Sequence, residues 1–190
     1  MLCANLALNG LTNVFAFQKA IGCEIGSLTE GILPTQSAVN FGGYPIGAVK
    51  GEGETIDIVP LNEMIDTLKP IALLKADVEG WERDVLIGSR KVIARDRPML
   101  YVENDRADKS RDLIISILEM NYALWWHIVP LFRPNNHAHT RVNIFGNIAS
   151  FNMLCLPNES KIQVKGLERI ENPEFHPLQK KDRVGGAPSM

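Results

Sequence analysis

The chain has 190 residues, a formal charge of −2 and a hydrophobic content of 45%. This length fits a single domain, and this composition permits a buried core. Acidic and basic residues are interspersed, and no basic run exceeds two residues. Nucleic acid is therefore not expected as the main partner, because phosphate binding needs a concentrated positive face.

The cysteines and the apolar runs bear on the compartment. Cys3, Cys23 and Cys155 are widely spaced and form no Cys-x-x-Cys pair, which is typical of reduced, buried thiols. No apolar run reaches the roughly 18 residues that a membrane span needs. The amino terminus lacks a basic segment before an apolar stretch, as a signal peptide would have. We therefore expect a cytoplasmic protein without a membrane span.

The first 70 residues contain alternating apolar segments and glycine-rich connections. In chain order, the pattern predicts the end of a helix over 1–10, a strand over 14–21, a loop or irregular hairpin over 22–54, a strand over 55–59 and a short helix over 61–68. Asn9-Gly10 closes the first helix, since both residues tolerate the left-handed conformation of a helix end. Pro70 ends the short helix, because the residue before a proline avoids helical angles.

The rest of the chain alternates strands with helices. The pattern predicts a strand over 71–76, a helix over 80–95, a strand over 98–102, a helix over 107–120, a strand over 122–129 and a final hairpin of 142–148 with 152–156. Residues 71–76 are apolar on both faces, as in a parallel strand covered on both sides. This alternation predicts an α/β fold with a mostly parallel sheet and right-handed crossovers. Residues 158–190 are polar with scattered prolines, which predicts a disordered tail.

The segment from Ile71 to Asp105 carries the most specific pattern. An apolar run ends in Asp77 and Glu79, a helix follows, and a second apolar run ends in Glu103, Asn104 and Asp105. DVEGWE at 77–82, with LLK before it and VLIGSRKVI after it, resembles the core motif of the FkbM family of S-adenosylmethionine-dependent methyltransferases. Three further segments resemble other parts of that family: LCANLALNGLTNV (2–14), YVEND (101–105) and FNMLCLP (151–157).

The resemblance implies a fold and a reaction. The fold is a Rossmann-like class I methyltransferase sheet with the strand order 3-2-1-4-5-7-6 and a terminal antiparallel hairpin, and residues 1–157 would form part of that domain. S-adenosylmethionine would be the cofactor. The reaction would be O-methylation of a hydroxyl on a sugar, glycolipid or polyketide-like small molecule. The alternative is a truncated, non-catalytic remnant that acts as a binding or interaction module.

Two family elements are missing from the sequence. No glycine-rich turn of the Gly-x-Gly type follows a strand, and no acid-ended second strand precedes residue 14. Such a turn lets the backbone approach the cofactor, and the acid binds its ribose. We therefore expect a truncated sheet that lacks the first two strands and binds S-adenosylmethionine weakly. Its unpaired edges, at 14–21 and 71–76, favour a homo-oligomer.

The acidic strand ends suggest catalytic, cofactor and metal sites. The ends of neighbouring strands meet at one edge of such a sheet, where ligands bind. Asp77 and Glu79, after one strand, and His127, near the end of another, are therefore the candidate catalytic residues. The resemblance implies cofactor contacts for Ala20, Ile21 and Asp77. By similarity to catechol-type enzymes, Asp77, Glu103 and Asn104 would hold Mg²⁺, although Gly80 stands where those enzymes have a lysine.

Structural roles remain open for the same residues. Asp77 and Glu79 are also well placed to cap the helix that follows, because carboxylates are favourable near a helix N-terminus. Glu82, one turn further on, is interpreted as a solvated helix residue. His127 is a candidate for proton transfer because imidazoles titrate near neutral pH, although most histidines are structural or exposed.

Overall fold

A computed structural model describes residues 2–32, 36, 43, 45 and 47–179. Its helices are α1 (Leu2–Leu8), α2 (Glu82–Ile87), α3 (Arg90–Asp96) and α4 (Ala107–Leu118), with a 3₁₀ turn at Leu61–Met64. Its strands are β1 (Ala20–Ile21), β2 (Gly26–Gly31), β3 (Gly53–Val59), β4 (Leu73–Ala76), β5 (Met99–Glu103), β6 (Tyr122–Pro130), β7 (Ala149–Pro157) and β8 (Glu168–Arg169). Within these ranges, every helix is too short or too polar to cross a membrane.

The main sheet has five strands in the order β4-β5-β7-β6-β8. β4 and β5 are parallel, whereas β7 is antiparallel to both of its neighbours, β5 and β6. β4, β5 and β6 therefore run in the same direction. The expectation of a mostly parallel sheet is confirmed only in part, because β7 lies between β5 and β6 and makes both of these ladders antiparallel.

The core lies between one face of this sheet and helices α2 to α4. The buried cluster combines inward side chains of the sheet with the apolar faces of the helices, among them Leu100, Val102, Leu124, Met153, Val85, Leu86, Ile93, Leu113, Ile114 and Ile117. The predicted burial of both faces of β4 is wrong. Leu74 and Ala76 are buried, whereas Leu73 and Lys75 are exposed because they point to the face opposite the helices.

A small second sheet has the order β1-β3-β2. β1 pairs in parallel with β3, and β2 pairs antiparallel with β3. The irregular hairpin predicted within 22–54 is therefore found, although residues 33–35, 37–42, 44 and 46 lie outside the described residues. The strand predicted over 14–21 is reduced to Ala20–Ile21. Phe15 and Phe17 remain exposed because the segment before β1 pairs with no described strand.

The helix predicted over 80–95 is interrupted between α2 and α3. Gly88 and Ser89 lie at the break, and the backbone N–H of Asn62 donates to the Gly88 carbonyl at 2.8 Å. A Cβ on Gly88 would lie 1.9 Å from the Gly22 carbonyl oxygen, just after β1. The break is therefore the point where the small sheet approaches the helices, and only glycine allows so close a contact.

The carboxyl-terminal part also differs from expectation. β7 pairs with β6 along its whole length, so the final hairpin is β6–β7 rather than a hairpin of 142–148 with 152–156. β8 pairs with β6, and Ile170 and His176 are buried. A short strand and two buried side chains thus lie within the stretch for which the composition predicts a disordered tail, and 180–190 lie outside the described residues.

His176 attaches this segment to the end of β5. Its Nδ1 accepts the Leu178 N–H at 3.2 Å, so its Nε2–H donates to the Asn104 carbonyl at 2.9 Å. Its ring also packs edge-on against Trp126. A single buried imidazole therefore satisfies polar groups on two segments that the sequence pattern places far apart.

The close approach at Gly88 predicts a large effect of one methyl group. We expect Gly88→Ala to lower the free energy of unfolding by about 2–3 kcal/mol, because the backbone of Gly22 must move to admit the Cβ. Urea unfolding measures this change. Gly26→Ala is the control, since its Cβ meets nothing within 4 Å. Equal stability of the two variants would contradict the close approach.

Removing the buried imidazole is expected to release the carboxyl-terminal segment. His176→Ala should lower the free energy of unfolding by about 2–4 kcal/mol, because it leaves a cavity and an unpaired Asn104 carbonyl. Hydrogen exchange of residues 168–178 should become faster in the same variant. His137→Ala, at an exposed position, is the control. Unchanged exchange in His176→Ala would show that the segment is held by other contacts.

Candidate functional site

The ends of β4 and β5 lie side by side. Ala76 pairs with Val102, so Asp77, which follows β4, is adjacent to Glu103, which ends β5. The juxtaposition expected from the sequence is therefore present. Both side chains project from the face of the sheet opposite the helices, where Tyr101 also lies.

The turn that follows Asp77 is held by Glu82. The Glu82 carboxylate accepts the backbone N–H groups of Val78 and Gly80 at 3.0 and 3.1 Å. Glu82 is buried, so the interpretation as a solvated residue is wrong. Glu79 and Gly80 adopt positive φ angles of 53° and 98° in this turn. Because Glu82 satisfies these amides, neither Asp77 nor Glu79 is needed as a cap.

Basic side chains compensate part of the acidic charge. Lys75 pairs with Asp77 on the exposed side of the sheet edge. Arg106 bonds the Glu79 carboxylate at 2.7 Å and lies 3.4 Å from the Asp105 carboxylate. The carboxylates at the strand ends are therefore oriented by two cations, one on each side of Glu103.

Glu103 lies between these pairs without a cation of its own. Its Oε2 is buried and lacks a hydrogen-bond partner among the described residues. Burial, together with the negative charges of Asp77, Asp105 and Glu79, raises the pKa of Glu103 from 4.5 to about 8. Glu103 therefore carries a proton at neutral pH, and a protonated carboxyl can donate a hydrogen bond.

The metal site expected from the sequence does not form as a set. Oxygen atoms of Glu79, Glu103 and Asp105 lie within 4.8 Å of one another. Asn104, in contrast, points to the helix side, because successive side chains of a strand alternate. Its Nδ2 donates to the Ser110 hydroxyl at 2.9 Å. Asn104 thus lies apart from Asp77 and Glu103, and Mg²⁺ binding stays a prediction for the two carboxylates.

His127 lies on the same face as the acidic group. In register, Glu103 is opposite Asn152 and Asn152 is opposite His127, so the three form one row across β5, β7 and β6. The Tyr101 hydroxyl is 2.8 Å from His127 Nδ1, and the two rings meet at 66°. Burial is the main reason that the pKa of Tyr101 is raised, so the phenol keeps its proton.

An apolar pocket lies beside the end of β4. It has a volume of about 230 Å³ and brings Ala20 and Ile21 of β1 next to Lys75 and Ala76 of β4. Its other walls are formed by Lys19, Val78, Trp81 and Val85. Two of the three residues predicted to contact the cofactor, Ala20 and Ile21, therefore share a pocket. The third, Asp77, lies outside its lining but follows Ala76 and precedes Val78, which both line it.

Several residues of this site were missed by the sequence analysis. Tyr101 could have been predicted, because it lies two residues before Glu103 on a strand and must share its face. Trp81 was assigned to a helix face, although it directly precedes α2 and lines the pocket. The pairing of Arg106 with Glu79 carries no sequence signal, since it depends on the positive φ angle of Glu79.

Comparison with known proteins identifies one family. The family model described as the methyltransferase FkbM domain matches residues 2–133, which is most of the chain. No curated protein and no solved structure matches the chain significantly. The matched residues include all those that line the pocket, from both sheets, and the acidic ends of β4 and β5.

The raised pKa of Glu103 predicts how stability depends on pH. Between about pH 4.5 and 8 the folded chain holds a proton that the unfolded chain releases, so the free energy of unfolding falls as pH rises through this window. Glu103→Gln should remove this slope and stabilise the chain by about 1 kcal/mol at pH 8, a value reduced for partial solvation.

Urea unfolding at pH 5 and pH 8 tests this expectation. Glu52→Gln, at an exposed position, is the control and should keep the slope of the unmodified chain. An unchanged slope in Glu103→Gln would show that the Glu103 carboxyl is ionised at neutral pH.

Proposed function

Because the chain belongs to the FkbM methyltransferase family, we propose that it transfers a methyl group from S-adenosylmethionine to a hydroxyl group of a small molecule. The acceptor class that we propose is a sugar, glycolipid or polyketide-like alcohol. The observation that carries the proposal is the acidic sheet edge at Asp77 and Glu103, which adjoins the apolar pocket at Ala20 and Ile21.

The pocket fits one part of the cofactor. The family implies S-adenosylmethionine as the usual methyl donor, and its sulfonium supplies an electrophilic methyl group. At 230 Å³ the pocket is smaller than the roughly 300–1,000 Å³ of sites that enclose drug-sized ligands. Its mostly apolar lining suits a planar ring such as adenine, which Ile21 and Trp81 would contact. Asp77, at the end of the pocket wall, would face the polar part of the cofactor.

The acidic edge would position the acceptor. Asp77, which pairs with Lys75, can accept a hydrogen bond from an acceptor hydroxyl. Glu79, oriented by Arg106, offers a second acceptor on the same side. Alignment of the hydroxyl supplies most of the expected rate, and proton removal by a carboxylate adds a factor of about 10²–10⁴.

Mg²⁺ is a further proposal for the same edge. Oxygen ligands suit this ion, and it commonly uses only one or two carboxylates. Asp77 and Glu103 would be those ligands, with the ion replacing the Glu103 proton. Bound there, Mg²⁺ would lower the pKa of an acceptor hydroxyl.

A non-catalytic function is the second candidate. The sequence has no Gly-x-Gly turn after a strand, and such a turn lets a backbone approach a nucleotide cofactor closely. In this case the chain acts as a binding or interaction module. Edge-to-edge association through β4, which has a neighbour on only one side among the described strands, would then be its expected behaviour.

Fluorescence titration with S-adenosylmethionine separates the two functions. We expect a weak but saturable signal, because an adenine ring in the pocket would contact the Trp81 indole. The signal should persist in Trp125→Phe, whose side chain lies on β6 away from the pocket, and disappear in Trp81→Phe.

Calorimetry of the same samples provides the affinity and the stoichiometry. Tight one-to-one binding would contradict the expected weak affinity, whereas the absence of heat and fluorescence change at millimolar cofactor would favour the non-catalytic function. A signal lost in Trp125→Phe but kept in Trp81→Phe would place the cofactor outside the pocket.

A further inference from the structure

The contact between Tyr101 and His127 spans an intervening strand. Tyr101 lies on β5 and His127 on β6, and β7 runs between them with Asn152 and Leu154 below the contact. Adjacent strands are about 4.8 Å apart, so the two backbones are separated by roughly twice that distance. Both side chains must extend toward each other to bring the hydroxyl within 2.8 Å of Nδ1.

The Tyr101 hydroxyl has a proton to donate and one hydrogen-bond acceptor among the described residues. A phenol keeps its proton at neutral pH, because its ordinary pKa is about 10. Among the residues that the structure describes, the hydroxyl has His127 Nδ1 as its hydrogen-bond partner and no other acceptor. Donation of the phenolic proton to Nδ1 gives both groups a partner, whereas an Nδ1–H donor would leave the phenolic proton without an acceptor among the described residues.

A neutral imidazole that accepts at one nitrogen carries its proton on the other. His127 Nε2 makes no hydrogen bond with any described residue, and the ring is half-buried on the face that carries Asp77 and Glu103. Nε2–H is consequently a donor directed away from Tyr101. A donor at this position can donate a hydrogen bond to the hydroxyl oxygen of a methyl acceptor, but it cannot remove the proton of that hydroxyl.

We propose that Tyr101 is a positioning residue that holds His127 as an Nε2–H hydrogen-bond donor, so that His127 orients an acceptor oxygen and the base is a carboxylate of the β4–β5 edge. The inference deepens the proposed function and rests on it for the identity of the ligand. The tautomer itself is a property of the chain alone. With this tautomer His127 donates a hydrogen bond and a carboxylate removes the proton, although both groups are candidates for proton transfer.

The histidine tautomer can be measured directly by NMR. In a chain with ¹⁵N-labelled histidine at pH 8.5, long-range ¹H–¹⁵N correlations distinguish a protonated ring nitrogen from an unprotonated one. We expect Nε2 of His127 to be protonated and Nδ1 unprotonated. His176 is an internal reference, because its contacts require the same tautomer. Loss of the signal in His127→Gln assigns it.

Two tyrosine variants test the cause. Tyr101→Phe removes the hydroxyl, so the His127 signals should shift toward the mixture of tautomers of a free imidazole. Tyr122→Phe removes a hydroxyl that bonds the Pro98 carbonyl elsewhere on the sheet, and it should leave His127 unchanged. An Nδ1–H tautomer in the unmodified chain would overturn the proposal, even if Tyr101→Phe failed to fold. Identical His127 signals in all three proteins would also overturn it.

Turnover separates this inference from the proposed function. With any acceptor that the chain methylates, His127→Gln keeps a side-chain N–H donor and should retain activity within about tenfold, whereas a lost general base costs about 10²–10⁴. A loss of that size in His127→Gln would overturn the donor role. If no acceptor is methylated, the proposed function fails, and the NMR result still decides the tautomer.

Discussion

The alternation of side chains along β5 determines which groups can act together. Leu100, Val102 and Asn104 face the helices, whereas Tyr101 and Glu103 face the opposite side. A strand allows no other arrangement, because its side-chain period is two residues. The Glu103-Asn104 pair is therefore divided between two environments. Asn104 contributes to packing beneath α4, and Glu103 contributes to the polar edge.

The same constraint explains which parts of the structure could be predicted. β5, α4 and β6 follow from simple periodicity, and the structure confirms them. The break at Gly88 could not be predicted, because Trp81, Val85 and Val92 continue at helical spacing across it. Tertiary contact with Gly22 outweighs that pattern. His176 was missed for a similar reason, since its polar neighbours in sequence conceal a buried ring.

Part of the site could likewise be predicted from the sequence, and part could not. The adjacency of Asp77 and Glu103 follows from two strand ends, so the sequence was sufficient to find it. Helix capping by Asp77 or Glu79 requires that its carboxylate, rather than a third one, accepts the N–H groups of the turn. Glu82 does so from within α2, which leaves the earlier acids available for other contacts. Spacing alone cannot decide between three carboxylates within six residues.

The carboxylates of the acidic edge repel one another, which costs free energy. The way in which each carboxylate is compensated determines its role. Lys75 offsets one carboxylate and Arg106 offsets two, whereas Glu103 has no cation and retains a proton instead. A group that holds a proton at neutral pH can donate a hydrogen bond, and the Asp77 carboxylate beside it can accept one. With His127 held as a donor by Tyr101, this face offers one acceptor, at the β4 edge, and two donors on β5 and β6. A hydroxyl, which both donates and accepts, is the ligand group that matches such a surface.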